Sequence, residues 1–125
     1  MQLINRTIVI TGASSGLGEA LARTLHKEGA NLILVARREE RLQVLASELQ
    51  AHYFVYDLEE APEALAQMLA DRYGYIDVLV NNAGFGEFSF LDDTSIETIE
   101  SMHRINVLSP VRLTKACLPL LKKVA

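Results

Sequence analysis

Four short apolar runs rich in β-branched residues alternate along this chain with stretches whose apolar residues recur at helical spacing. That alternation leaves few folds open. A strand that is followed by a helix and then by another strand joins one sheet as a parallel neighbour, with the helix crossing over a face. The first run, residues 7–10, breaks at Gly12, and residues 31–36 contain Leu-Ile-Leu-Val, the continuous apolar pattern of a strand covered on both faces. Residues 53–56 make a third strand, ended by Asp57, and residues 76–80 a fourth that runs into Asn81-Asn82-Ala83-Gly84. Between them, Leu17, Ala20, Leu21 and Leu25 mark a helix over about 16–28, with Gly29 placed to end it in a left-handed conformation. Leu42, Leu45 and Leu49 form a second stripe. Pro62 suits the first turn of a third helix, with Leu65, Met68 and Leu69 as its buried face and Gly74 as its stop. Thr94-Ser95-Ile96-Glu97 reads as a capping box, and a long helix over about 101–121 follows. The order predicts an α/β fold: a parallel sheet of about four strands with helices on both faces, the first half of a doubly wound domain. Residues 1–125 make one domain.

Composition narrows the function classes. Half of the 125 residues are hydrophobic, which argues for a packed core, and the formal charge of −4 gives no electrostatic reason to expect nucleic acid or an anionic membrane as partner. No apolar run approaches the roughly 20 residues that span a bilayer, and the first residues lack the pattern of a signal peptide. A single cysteine, Cys117, excludes an internal disulfide and reads as a small core residue. The expectation is a soluble, cytoplasmic protein with no metal site.

The chemistry starts at Thr11-Gly12-Ala13-Ser14-Ser15-Gly16-Leu17-Gly18, where the first strand hands over to the first helix. Gly12 permits a sharp turn, Gly16 a close backbone approach to a pyrophosphate, and Gly18 close packing of helix on sheet. The unpaired N–H groups and the positive end of the helix dipole then face phosphate oxygens, and Ser14 and Ser15 add hydroxyl donors. The motif is not a P-loop, because Glu19 follows Gly18 where that motif needs lysine.

Together with Asn81-Asn82-Ala83-Gly84 and Ile105-Asn106-Val107, this turn closely resembles the short-chain dehydrogenase/reductase family over essentially the whole chain. The resemblance implies a Rossmann fold, a nicotinamide cofactor, and hydride transfer to or from a carbonyl or secondary alcohol. It implies that Leu17, Asn82, Ala83 and Gly84 border the cofactor, with Asp57 and Leu58 at the adenine. It also implies a homo-oligomer for the intact enzyme.

Which nicotinamide dinucleotide is read from the end of the second strand. NAD-binding proteins usually place a carboxylate there, for the ribose hydroxyls. Here Ala36 is followed by Arg37 and Arg38, so nothing repels a 2′-phosphate and a guanidinium is available to grip one. NADP(H) is expected over NAD(H), with Arg37 as the anchor.

Asn106 lies within the long helix, a poor place for asparagine. Pro110, four residues on, has no N–H, so the Asn106 carbonyl loses its helical donor and needs another partner such as water. In the resembling family the matching asparagine is catalytic, and its main-chain carbonyl holds a water of the proton relay. The family's serine and Tyr-x-x-x-Lys have no counterpart: Tyr53, Tyr56, Tyr73 and Tyr75 are followed four residues later by Asp57, Glu60, Asp77 and Leu79. The 125 residues alone are therefore expected not to catalyse hydride transfer. Three other readings stay open: a non-catalytic NADP(H)-binding module or sensor, a methyltransferase using S-adenosylmethionine, and a purely structural α/β domain, which leaves Gly12, Gly16 and Gly18 without a purpose.

Overall fold

The computed structural model describes residues 2–14, 16–86 and 89–122. Strands β1 (Thr7–Thr11), β2 (Asn31–Ala36), β3 (His52–Val55) and β4 (Val78–Val80) form one sheet in the order β3-β2-β1-β4. Every pairing is parallel: Thr7 lies opposite Asn31, Ile33 opposite His52, and Ile8 opposite Val78. Helices α1 (Gly16–Lys27), α2 (Glu39–Leu49) and α3 (Pro62–Arg72) make the crossovers. The chain steps from β1 outward to β3, then returns past its start to place β4 on the other side of β1. The connections leaving β1 and β4 therefore diverge, and a crevice opens beyond the strands' carboxyl ends.

Side chains alternate along a strand, so each strand serves two cores. Ile8, Ile10, Leu32 and Leu34 pack with Ala22, Leu42, Leu45 and Leu49 on one face. Val9, Ile33 and Val35 pack with Leu65, Leu69, Ile76, Leu113, Cys117 and Leu120 on the other. Both faces are covered, which is why the second strand reads as an unbroken apolar run. Burial pushes the Cys117 thiol up to about 11, keeping it a neutral core group as expected.

Several boundaries differ from the sequence expectation. Strand β4 starts at Val78, with the Ile76 N–H drawn away to the Leu120 carbonyl, while the Asp77 N–H donates to the Thr7 carbonyl of β1. The Asp77 carboxylate also accepts from the Thr7 N–H at 2.7 Å. Helix α3 stops at Arg72, with Tyr73 extended at φ −127°, so Gly74 is not its terminator. Its buried face uses Ala66, while Met68 is 36% exposed. Leu17, counted in the apolar stripe of the first helix, is 75% exposed.

The last helices change most. The helical region opened near residue 95 and the long helix are one rod, running through α4 (Ile96–His103), a π turn (Arg104–Leu108) and α5 (Ser109–Lys122). Its cap is Ser95 and not Thr94: the Ser95 hydroxyl accepts from the Thr98 N–H at 3.1 Å. The π turn has a local cause. Pro110 cannot donate, and the Ser109 N–H reaches back five residues to the Arg104 carbonyl, widening the helix where the regular ladder fails. Among the described residues nothing pairs with the outer edge of β4, whose Val78, Leu79 and Val80 are half-buried.

Candidate functional site

The crevice beyond the strand ends is a cleft of about 300 Å³. Its floor is the turn after β1, through Gly12, Ser14 and Leu17. One wall follows β2 and β3 and carries Ala36, Arg37, Arg38, Tyr56, Asp57 and Leu58. The other follows β4 and carries Asn82, Ala83, Gly84 and Phe85, with Ile105 behind them.

Three glycines of the floor are required for three different reasons. Gly12 has φ +63°, and a Cβ there would come within 2.9 Å of the Ala83 Cα. A Cβ on Gly18 would run into the Gly12 carbonyl oxygen and come within 2.5 Å of the Asn82 Nδ2. Gly16 has φ +58° with nothing within 4 Å, so space is left open at the first residue of α1. Gly18 therefore lies beneath the cleft, and Gly16 faces a neighbouring hollow shared with Ser14. Ser15 lies outside the described residues.

Asn82 and Thr11 tie the floor to the second wall. Asn82 Nδ2 donates to the Gly12 carbonyl at 3.1 Å. The Thr11 hydroxyl accepts from the N–H groups of Asn82 and Ala83, each at 3.0 Å, and donates to the Val80 carbonyl at 3.3 Å. Thr11 was not singled out from sequence; the only signal was its place immediately before Gly12. The Asn82 amide is thus committed to backbone and shapes the cleft from behind.

Asn106 does not line the cleft. Its side chain pairs with Phe85 in both directions: Nδ2 donates to the Phe85 carbonyl at 2.7 Å, and Oδ1 accepts from the Phe85 N–H at 3.0 Å. A Cβ on Gly84 would sit 2.6 Å from that Oδ1, which accounts for the glycine. The side chain that is unfavourable for a helix interior is therefore used to clip the loop after β4 onto the π turn.

On the first wall, Asp57 accepts the Glu59 N–H at 2.9 Å, forming a turn while bordering the cleft. Leu58 is largely core, 7% exposed, and its carbonyl accepts the buried Ser109 hydroxyl at 2.6 Å. Tyr56 donates its hydroxyl to the Ala61 carbonyl at 2.5 Å, and burial together with Glu60 and Glu63 pushes its pKa up. Arg37 and Arg38 are exposed and pair with no carboxylate among the described residues; Glu39, next in sequence, accepts instead from Gln43. Arg38 is the N-cap of α2 and supplies no side-chain cap, so two cations stand at the positive end of a helix dipole. Phe85 lies at the cleft mouth; Glu87 and Phe88 lie outside the described residues. Among the described residues no three histidine, cysteine or acidic groups gather as metal ligands, and no described helix is long and apolar enough to cross a membrane.

A half-sheet ordered β3-β2-β1-β4 with a glycine-rich turn opening its first helix defines a Rossmann-type domain. Residues 6–125 match the family model of the short chain dehydrogenases, and the chain belongs to that family of oxidoreductases. A curated relative, mouse dehydrogenase/reductase SDR family member 7B, is 37% identical over 94% of this chain and 40% of its own length. The alcohol dehydrogenase of the archaeon Thermococcus sibiricus, solved with 5-hydroxy-NADP, is 39% identical with a TM-score of 0.88, over 94% of this chain and 54% of that one. Pseudomonas aeruginosa RhlG, solved in an NADP active-site complex, gives 30% and 0.92, over 99% and 51%. The chain thus spans about half the length of the relatives it matches.

Proposed function

We propose that this chain is the NADP(H)-binding part of an oxidoreductase that interconverts a carbonyl and a secondary alcohol. One observation carries the cofactor assignment: two exposed arginines, without carboxylate partners among the described residues, stand on the cleft wall beside an open glycine turn. The residues fit a dinucleotide diphosphate. Gly16 leaves space at the start of α1, where free N–H groups and the dipole favour an anion, and Ser14 adds a hydroxyl. Arg37 takes the 2′-phosphate, helped by Arg38, and an anion there relieves the cost of two cations at the start of α2. Asp57 and Leu58 border the adenine, and Ala83, Gly84 and Phe85 the nicotinamide end. When bound, the nicotinamide gives or takes the hydride.

Asn106 serves this chemistry through two different groups. Its side chain fixes Phe85 and so sets the wall after β4. Its carbonyl, which Pro110 deprives of an α-helical donor, is free to hold a water that passes a proton. Neighbours solved with NADP support the cofactor class. Titration with NADPH and NADH tests the reading. NADPH should bind more tightly, and Arg37→Ala should weaken NADPH binding by roughly 1–3 kcal/mol, the scale of a hydrogen bond to a charged group, with little effect on NADH. Equal losses for both cofactors would sink the assignment of Arg37.

A second reading, a non-catalytic NADP(H)-binding module, is favoured by one observation. Tyr56, the tyrosine on the cleft wall, is committed to the Ala61 carbonyl. Tight NADPH binding without turnover on a panel of ketones and secondary alcohols, measured on the protein as its native source makes it, would decide for that reading.

A further inference from the structure

We infer that Ser109 is a positioning residue for the cofactor, acting through the Leu58 carbonyl to hold the adenine-side wall against the π turn; this deepens the NADP(H) reading and rests on it. Few polar residues are buried among the described residues. They are Thr11, Ser14 and Ser109, at 1%, 9% and 1% exposure, and the first two belong to the glycine turn. Ser109 lies outside the cleft, on the rod that packs against α3. Its hydroxyl donates at 2.6 Å to the Leu58 carbonyl, a bond that spans 51 residues of sequence.

The position of that bond gives it a function beyond packing. Ser109 is also the residue whose N–H closes the π turn onto Arg104. Three residues earlier, Asn106 holds Phe85 by two hydrogen bonds. One widened helical turn therefore carries both clips, one for the loop after β3 and one for the loop after β4. These strands are the two edges of the described sheet, and their loops supply the opposing walls of the cleft. Removing the Ser109 hydroxyl leaves the Leu58 carbonyl buried without its donor, and the loop must shift to find another. The shift falls on Asp57 and Leu58, whereas Phe85 keeps its own clip. Ser109 therefore sets affinity at the adenine end and leaves the nicotinamide end unchanged.

The test compares the unaltered chain with Ser109→Ala and with Cys117→Ala, a buried α5 substitution that does not line the cleft, by NADPH fluorescence titration and thermal melting. Ser109→Ala is expected to weaken NADPH binding about five-fold, within the range a single hydrogen bond spans. The emission maximum of NADPH at saturation should stay where it is in the unaltered chain, and Cys117→Ala should bind within about two-fold of it. Should Ser109→Ala not fold, Ser109→Cys, a weaker donor of similar size, is read in the same way. Unchanged affinity in the Ser109 variant overturns the inference. So does an equal loss in Cys117→Ala, which would make the effect one of general stability, or a shifted emission maximum, which would place it at the nicotinamide. If the unaltered chain does not bind NADPH at all, it is the cofactor reading that falls, and this inference falls with it.

Discussion

The turn after β1 and the loop after β4 face each other across the same cleft, and both depend on glycine, yet they are held in different ways. The first is closed by backbone: Gly18 lies against the Gly12 carbonyl, and Gly12 against the Ala83 Cα. The second is closed by a side chain, since Gly84 makes room for the Asn106 amide. Backbone cannot retreat without moving a strand end, whereas an amide can rotate away. One rim is thus a rigid platform, and the other a clip that can be released without dismantling the sheet.

That contrast predicts an order of stabilities, readable from thermal or denaturant unfolding. Gly18→Ala should cost the most, on the order of 3 kcal/mol, because its Cβ meets a carbonyl and a committed amide. A loss under about 1 kcal/mol would show the platform to be soft and break the comparison. Gly84→Ala should cost about 2 kcal/mol, by displacing the Asn106 Oδ1 from the Phe85 N–H. The double variant with Asn106→Ala should then be less destabilised than the sum of the two single variants, because both remove the same clip. Full additivity would mean that Gly84 is needed for some other reason. Gly16→Ala should cost about 1 kcal/mol, the penalty of a left-handed conformation alone, since no atom opposes the new Cβ.

The smallest effect belongs to an ion pair away from both rims. Arg112 grips Glu63 through Nε at 2.8 Å, tying α5 to α3 at the surface. The hydrogen bond from Arg112 holds the Glu63 carboxyl below its usual range. A carboxyl lowered in the folded state stabilises above its unfolded pKa and loses that contribution as pH falls through the folded value. Arg112→Ala should therefore lower the melting temperature only slightly at neutral pH, and the gap to the unaltered chain should close on acidification. A gap that widened in acid would reverse the assignment.

How much of this was legible in the sequence depends on how far apart the partners stand. The four strands and the first helix follow from local periodicity, and a parallel sheet follows from their alternation. Gly12, Gly16 and Gly18 were found by spacing, and Gly18 packs against the Gly12 carbonyl, in keeping with the close packing read for it. Asn106 and Pro110 pointed to a broken helical ladder, and a π turn stands there. The partners of the polar groups were another matter. Asn106 meets Phe85 across 21 residues, Ser109 meets Leu58 across 51, and Thr11 meets Ala83 across 72. No periodicity carries such pairings. The misplaced start of the fourth strand has the same origin: Ile76 reads as strand, but its N–H is claimed by the distant Leu120 carbonyl.

The wide turn at Arg104–Leu108 also sets the phase of everything after it. Ile105 ahead of its close and Leu113, Cys117 and Leu120 beyond it all point into the protein. An ordinary helix advances about 100° per residue, so taking one residue out of the turn would rotate the rest of the rod by that angle. Leu113, Cys117 and Leu120 would then swing away from the sheet. The turn works as a gear tooth in the middle of the helix, and the core beneath α5 tolerates a change of side chain there far better than a change of count.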